Sequence, residues 1–303
     1  MFVSTSHFAT LRNRRVHWRA WGRDGAPILV MIHGWMDTSY TFQFLVDALG
    51  DGWRLLAPDL RGFGQTEWSR ENASGYWFHD YIADLDAFLD HVSPHDAVNL
   101  LGHSLGGNIV CVYAGVRSQR VRRVVSLDGF GVPNGDSSTA PKKLAAWLDA
   151  TRSGEALKPY ASLDAVAHRL QKNDPYLSTE QAHQLAREWA VAQADGTFQV
   201  RADPAHKLPF STVYRLEESL AIWRCITAPV LWVGAQRSHI AQWLGYGRDD
   251  PRDMGVDTRH SAEFAQRLAA FSDIRFELIA DASHNLHHEK AGEVARLIVS
   301  FLR

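Results

Sequence analysis

The 303-residue chain contains only two cysteines, Cys111 and Cys225, too few for a disulfide framework. Cys111 stands inside an apolar helical pattern and reads as a buried thiol. A reducing, cytoplasmic setting is the expectation. No apolar run approaches the roughly 20 residues that span a bilayer. Arg12, Arg14, Arg15 and Arg19 interrupt any leader after Met1, so neither a signal peptide nor a membrane partner is expected. A surplus of one charge is missing too: 32 Lys and Arg stand against 34 Asp and Glu, a net charge of -2. That balance gives no field for nucleic acid or an anionic surface. What is present is a hydrophobic share of 46%, enough for a substantial core. A small molecule is the partner class that remains, and nothing in the sequence speaks to oligomeric state.

Short apolar runs alternate with longer segments of helical period, which predicts an α/β fold: a mainly parallel central sheet with helices on both faces. Residues 6–21 read as a hairpin, and Pro27–Ile32, Trp53–Ala57, Val98–Leu101 and Val121–Leu127 as strands. Phe78, Ile82, Leu85, Leu89 and Val92 recur at helical spacing, as do Ile109, Val112, Tyr113 and Val116. From Pro133 to Arg224 the strand rhythm gives way to Ala-rich helical segments at Lys142–Leu148, Ala161–Leu170 and Thr179–Ala192. The rhythm returns with Val230–Val233 and Ile274–Leu278 before a last helix carrying Val294, Leu297, Ile298 and Phe301. The division expected is a core domain of residues 1–132 and 225–303 with an inserted helical cap at 133–224.

Gly102-His103-Ser104-Leu105-Gly106 lies between a predicted strand and a predicted helix, the setting a G-x-S-x-G motif requires. Glycines permit a strained turn that lifts the serine hydroxyl out of the sheet, and the helix turns its first N–H groups toward the same place. The plainer alternative is a Gly-rich turn with an incidental serine. With Ser rather than Asp at 104, a covalent intermediate would be an acyl-serine.

Taken with His33-Gly34-Trp35-Met36-Asp37, Asp59-Leu60-Arg61-Gly62-Phe63-Gly64, GHSLGG at 102–107 and Leu127-Asp128, this motif resembles the α/β-hydrolase superfamily, and within it the serine hydrolase-like protein group. The resemblance covers about residues 25–130 and 228–303. It implies the α/β-hydrolase fold and the chain order nucleophile, acid, histidine. The histidine is then His284, between the Ile274–Ile279 strand and the final helix. His287 and His288 read as a solvated first turn of that helix, and His33 and His103 as braces of turns. The superfamily's usual acid position falls in Gly234-Ala235-Gln236-Arg237-Ser238, which has no Asp. Some members carry the acid one strand earlier, where Asp128 stands, so Asp128 is assigned, the alternative being an Asp that caps a turn before Gly129. Asp249, Asp250, Asp253 and Asp257 are reserves, and Asp59 is read as organising its own turn.

Backbone N–H groups of Trp35 and Leu105 are the expected oxyanion donors. Trp35, Met36, Phe130, Trp147 and Trp189 are the expected substrate-binding residues, the alternative for the cap aromatics being a small core of their own. His284, His287 and His288 match no metal-ligand spacing, so neither metal nor organic cofactor is expected. The reaction read from these residues is hydrolysis of a small-molecule carboxylic ester, with carbon–carbon cleavage beside a carbonyl as a close relative. Two other classes stay open: a cofactor-free oxygenase acting on an aromatic heterocycle, and a hydrolase-fold ligand receptor with little turnover.

Overall fold

A computed structural model describes residues 1–68, 75–244 and 262–303. In chain order the first half comprises β1 (Thr5–Leu11), β2 (Arg14–Gly22), β3 (Ile28–Ile32), α1 (Gln43–Leu49), β4 (Arg54–Pro58), α2 (Phe78–Val92), β5 (Val98–His103), α3 (Leu105–Val116) and β6 (Val121–Leu127). The helices α4 (Ala140–Ser153), α5 (Leu163–Asn173) and α6 (Thr179–Trp189) follow, then the short strands β7 (Ala190–Ala192) and β8 (Phe198–Val200) and the helix α7 (Leu216–Trp223). The chain closes with β9 (Val230–Ala235), α8 (His239–Leu244), α9 (Ala262–Leu268), β10 (Ile274–Ile279), α10 (Leu286–Glu289) and α11 (Ala291–Leu302). No helix among the described residues is long and apolar enough to cross a membrane.

Eight strands form one sheet in the order β1-β2-β4-β3-β5-β6-β9-β10. β1, β2 and β4 pair antiparallel, and every pairing from β4 to β10 is parallel. This is the α/β-hydrolase fold that the alternation predicted. Because strand side chains alternate between faces, each central strand feeds two cores. Val30, Ile32, Leu100, Val124, Val230 and Trp232 face the layer holding Phe88, Ile109, Tyr113 and Trp223. Leu29, Met31, Leu101, Val125, Leu231 and Val233 face Leu45, Val46, Val294 and Ile298. Neither face meets water, so β5 and β9 are buried along their whole lengths. The same packing explains α3: it lies between the sheet and other helices, burying Ile109, Val110, Cys111, Tyr113 and Ala114, while Val116 is exposed.

The order β4-β3-β5 means that the chain runs outward from β3 in one direction and returns to continue in the other. A crevice opens at such a reversal, outside the carboxyl ends of the strands.

Between β6 and β9 the helical segments appear as expected, with two differences. The predicted helix to Ala192 stops at Trp189, because Ala190–Ala192 pairs with Phe198–Val200 in a two-stranded ribbon. Helix α7, placed by sequence in the insertion, packs on α3, and Trp223 joins the core of the main sheet. α5 and α6 have a core of their own, Val166, Ala167, Leu177, Ala182, Leu185 and Ala186, against which Tyr40 and Phe44 pack. Ser162 caps α5 through the Ala165 N–H, and Ser178 and Gln181 form a reciprocal capping box on α6.

Candidate active site

Ser104 follows the last residue of β5 and precedes the first of α3. Its φ of 53° and ψ of -115° lie outside the ordinary wells of an L-residue. Its N–H donates to Leu127 O at 2.9 Å, which pins the turn to the end of β6. Two glycines allow so sharp an entry. A Cβ on Gly102 would sit 2.1 Å from Gly106 O, and one on Gly106 only 1.9 Å from Ile32 O. Helix α3 therefore starts against strand backbone, and Leu105, its first residue, has an N–H with no acceptor inside the helix.

Asp128 occupies the corresponding place one strand over, directly after β6, and has a φ of 49°. It is fully buried, and its N–H donates to Val233 O at 2.8 Å. Oδ2 accepts a hydrogen bond from His284 Nδ1 at 2.7 Å. Oδ1 faces Ser238 Oγ at 3.2 Å and the Ala235 N–H at 3.3 Å. The imidazole of His284 packs on His103 and His239, with centroids 4.8 and 4.3 Å away. Burial lowers His284 to about 4, which leaves it neutral at pH 7.

The loop after β3 closes the third side. A Cβ on Gly34 would lie 3.3 Å from Ser104 Cβ, so Gly34 and Trp35 run directly beside the elbow. His33 braces this loop as expected: its Nε2 accepts from the Leu60 N–H at 2.9 Å, leaving Nδ1–H to donate to Gly34 O at 2.7 Å. His103 likewise braces a turn, its Nε2–H donating to the carbonyl of His284 at 2.8 Å. Met36 has a φ of 58°. Ser104, Asp128 and Met36 are thus three non-glycine residues held in the left-handed half of backbone space directly after β5, directly after β6 and in the loop after β3, each at a cost of about 1–3 kcal/mol. The surrounding sheet imposes that strain.

Comparison with known proteins agrees with this fold. The family described as the alpha/beta hydrolase fold matches residues 27–291. This chain belongs to the α/β-hydrolase family. The hydrolase is 25% identical to a "Serine hydrolase-like protein" of Danio rerio over 100% of this chain and 93% of that protein. A protein of the same description from Dictyostelium discoideum is 22% identical over 94% of this chain and 77% of its own. The resemblance to that group read from the motifs is thereby upheld. Among solved structures, the thioesterase domain from the curacin biosynthetic pathway superposes with a TM-score of 0.83 at 21% identity, covering 98% of this chain and 99% of that one.

The remaining sequence-predicted residues of the hydrolase divide sharply. Trp35 is 54% exposed, and its Nε1 donates to His206 O at 3.3 Å. Trp189, on α6, donates from Nε1 to Met36 O at 2.7 Å. Trp189 is therefore tied to the loop that carries Trp35 and Met36, and that loop runs past Ser104 at Gly34. Trp147 is half-buried on α4, a helix with no fully buried residue. Phe130 corrects the expectation: only 1% exposed, it stacks among Trp223, Trp232, Phe264 and Phe271 inside the core. The loop after β6 turns inward there because buried Arg267 donates to the carbonyls of Phe130 and Val132.

His287 and His288 also depart from the reading of a solvated turn. Both are buried, and their Nε2 atoms approach Thr41 Oγ1 at 2.9 and 2.8 Å. Asp59 organises its turn as expected, accepting from the N–H groups of Ser39 and Gln65 and from His17 Nδ1. The reserve acids Asp249, Asp250, Asp253 and Asp257 lie outside the described residues. Sequence reasoning passed over Ser238 and His239. The signal for Ser238 was its place in the loop that usually supplies the acid: here that loop hydrogen-bonds to an acid from the neighbouring strand.

Proposed function

We propose that this hydrolase is a serine esterase of small-molecule carboxylic esters, with Ser104 as nucleophile, His284 as general base and Asp128 as the acid that orients it. The observation that carries the reading is the 2.7 Å contact between His284 Nδ1 and Asp128 Oδ2 beside the strained Ser104 turn. With Nδ1–H committed to Asp128, the lone pair of His284 falls on Nε2, where a base for Ser104 needs it. Ser104 Oγ attacks the ester carbonyl while Nε2 takes its proton. The N–H groups of Trp35 and Leu105 stabilise the oxyanion. His284 then returns the proton to the departing alcohol. Water, deprotonated by His284, attacks the acyl-serine and releases the carboxylic acid, and Ser104 recovers its proton.

The helices between β6 and β9 form the cap in this reading, with Trp189 seated on the loop that carries the oxyanion donor. Trp35 and Trp189 supply apolar walls for the acyl or alcohol group.

The test is treatment of the purified protein with a fluorophosphonate probe, with adduct mapping by peptide mass spectrometry. Rapid labelling of Ser104, lost in Ser104→Ala, is the expected result, and a panel of esters of increasing chain length then defines the substrate. Absence of an adduct on the folded protein would overturn the reading.

A further inference from the structure

Asp37, His103 and His287 come from three separate parts of the chain: the loop after β3, the end of β5 and α10. Each brings one atom able to ligate a metal to within 4.8 Å of the other two. The two imidazoles lie with centroids 4.2 Å apart. His103 is 2% exposed and His287 0%, and among the described residues neither Nδ1 has a hydrogen-bond partner. An unsatisfied buried polar atom costs about 1–3 kcal/mol. Two of them beside a carboxylate call for one shared partner.

The outer nitrogens show what kind. His103 Nε2 must carry hydrogen, because it donates to the His284 carbonyl, and this puts a bare lone pair on Nδ1. His287 Nε2 is 2.9 Å from Thr41 Oγ1, a hydroxyl able to accept its proton and leave Nδ1 likewise bare. Anchoring one ring nitrogen to a carbonyl or hydroxyl while the other points inward is how metal-ligating histidines are oriented. Burial holds both rings well below the ordinary histidine range, His103 further through the neighbouring His284 and His287 through His288. They are neutral, as ligands must be. Two Nδ1 lone pairs and a carboxylate, one of whose oxygens also accepts from the Thr38 N–H at 2.8 Å, make three electron-pair donors. A cation satisfies all three at once.

We propose that Asp37, His103 and His287 form a binding site for one divalent transition-metal ion of the zinc class, behind the Ser104 elbow. Two imidazoles and one carboxylate form a donor set suited to Zn2+ rather than Mg2+ or Ca2+. Three protein ligands leave a fourth position open, and bonds of the usual length of about 2.0–2.2 Å would draw the donors closer together than they stand here. The site uses neither the Ser104 hydroxyl nor the ring nitrogens of His284, so it stands whether or not the esterase reading does.

The experiment is equilibrium dialysis of the tag-free, full-length, chelator-stripped protein against micromolar Zn2+, with metal counted per chain by mass spectrometry. Ser104→Ala is run alongside. Both proteins should retain one ion per chain. His103→Ala and His287→Ala should lose it, and Asp37→Asn should weaken it by about 10-fold or more. His288→Ala should keep it. Should the histidine variants not fold, Asp37→Asn carries the test, because Asp37 is only half-buried and the substitution preserves its shape. With Co2+ in place of Zn2+, the visible absorption of a four-coordinate site should appear in the wild type and fall in Asp37→Asn. Failure to retain an ion, or retention indifferent to Asp37→Asn, would overturn the proposal.

Discussion

Asp128 at the end of β6 and His284 in the loop after β10 are 156 residues apart in sequence and 2.7 Å apart in space. Between them in the sheet stands β9, whose following loop sends the Ala235 N–H and the Ser238 hydroxyl to the other oxygen of the same carboxylate. Asp128 thus stands one strand before the loop that usually carries the family's acid, and that loop hydrogen-bonds to it.

That division of labour predicts unequal losses. Asp128→Asn should lower kcat by about 10³–10⁴-fold while the circular dichroism spectrum stays unchanged, because the amide offers His284 the wrong hydrogen-bonding partner. Ser238→Ala removes one hydrogen bond to a carboxylate, worth about 1.5–3 kcal/mol, and should cost about 10–100-fold. Steady-state kinetics on any ester found by the chain-length panel measures both, and equal losses would contradict the arrangement.

Phe130 and Trp189 separate stability from recognition. Phe130→Ala opens a cavity among Trp223, Trp232, Phe264 and Phe271 and should cost about 3–5 kcal/mol in urea unfolding. Trp189→Phe loses the hydrogen bond to Met36 O. It should cost about 1 kcal/mol of stability but change KM or kcat, because Met36 adjoins Trp35. A Phe130→Ala protein of normal stability would remove that residue from the core.

Gly106→Ala tests the elbow itself. The added methyl would meet Ile32 O at 1.9 Å, a clash with strand backbone that side-chain rotation cannot relieve. A loss of about 3 kcal/mol or more, or failure to fold, is expected from expression and thermal melting.

Acid should unfold this protein partly through Asp59. Burial pushes that carboxyl up, but the hydrogen bond and electrostatic attraction of His17 and the Gln65 N–H outweigh burial and bring it down to about 2 from 3.8. A depressed folded-state value means stability is present above the unfolded-state value and lost as pH falls through it toward the folded one. The window therefore runs from about pH 4 to pH 2, with about 2 kcal/mol at stake. The stability gap between wild type and Asp59→Asn, measured by urea unfolding, should narrow across that window. A gap constant in pH would contradict it.

The elbow was legible because its signal is local. Strand, Gly102-x-Ser104-x-Gly106 and helix are contiguous, and the clashes that forbid larger residues arise within that turn and against the adjoining strand β3. The parallel sheet was legible too, since runs such as Val230–Val233 are apolar at every position only when both faces are covered. Periodicity says that a side chain faces inward but not what it meets there. Phe130 and Trp35 look alike as aromatic residues in loops after strands, yet buried Arg267 draws the first into the core and the second stands exposed. His287 and His288 read as a polar helix start, and packing against Thr41, Phe42 and Phe44 from the segment after β3 buries them. The sequence by itself determined the fold class and the sharp Ser104 turn, whose causes lie in backbone sterics and in the alternation of apolar side chains. Tertiary structure decided which acid meets His284, that Trp189 meets the loop carrying Met36, and that Asp37, His103 and His287 converge, because each depends on contacts between segments that no local pattern relates.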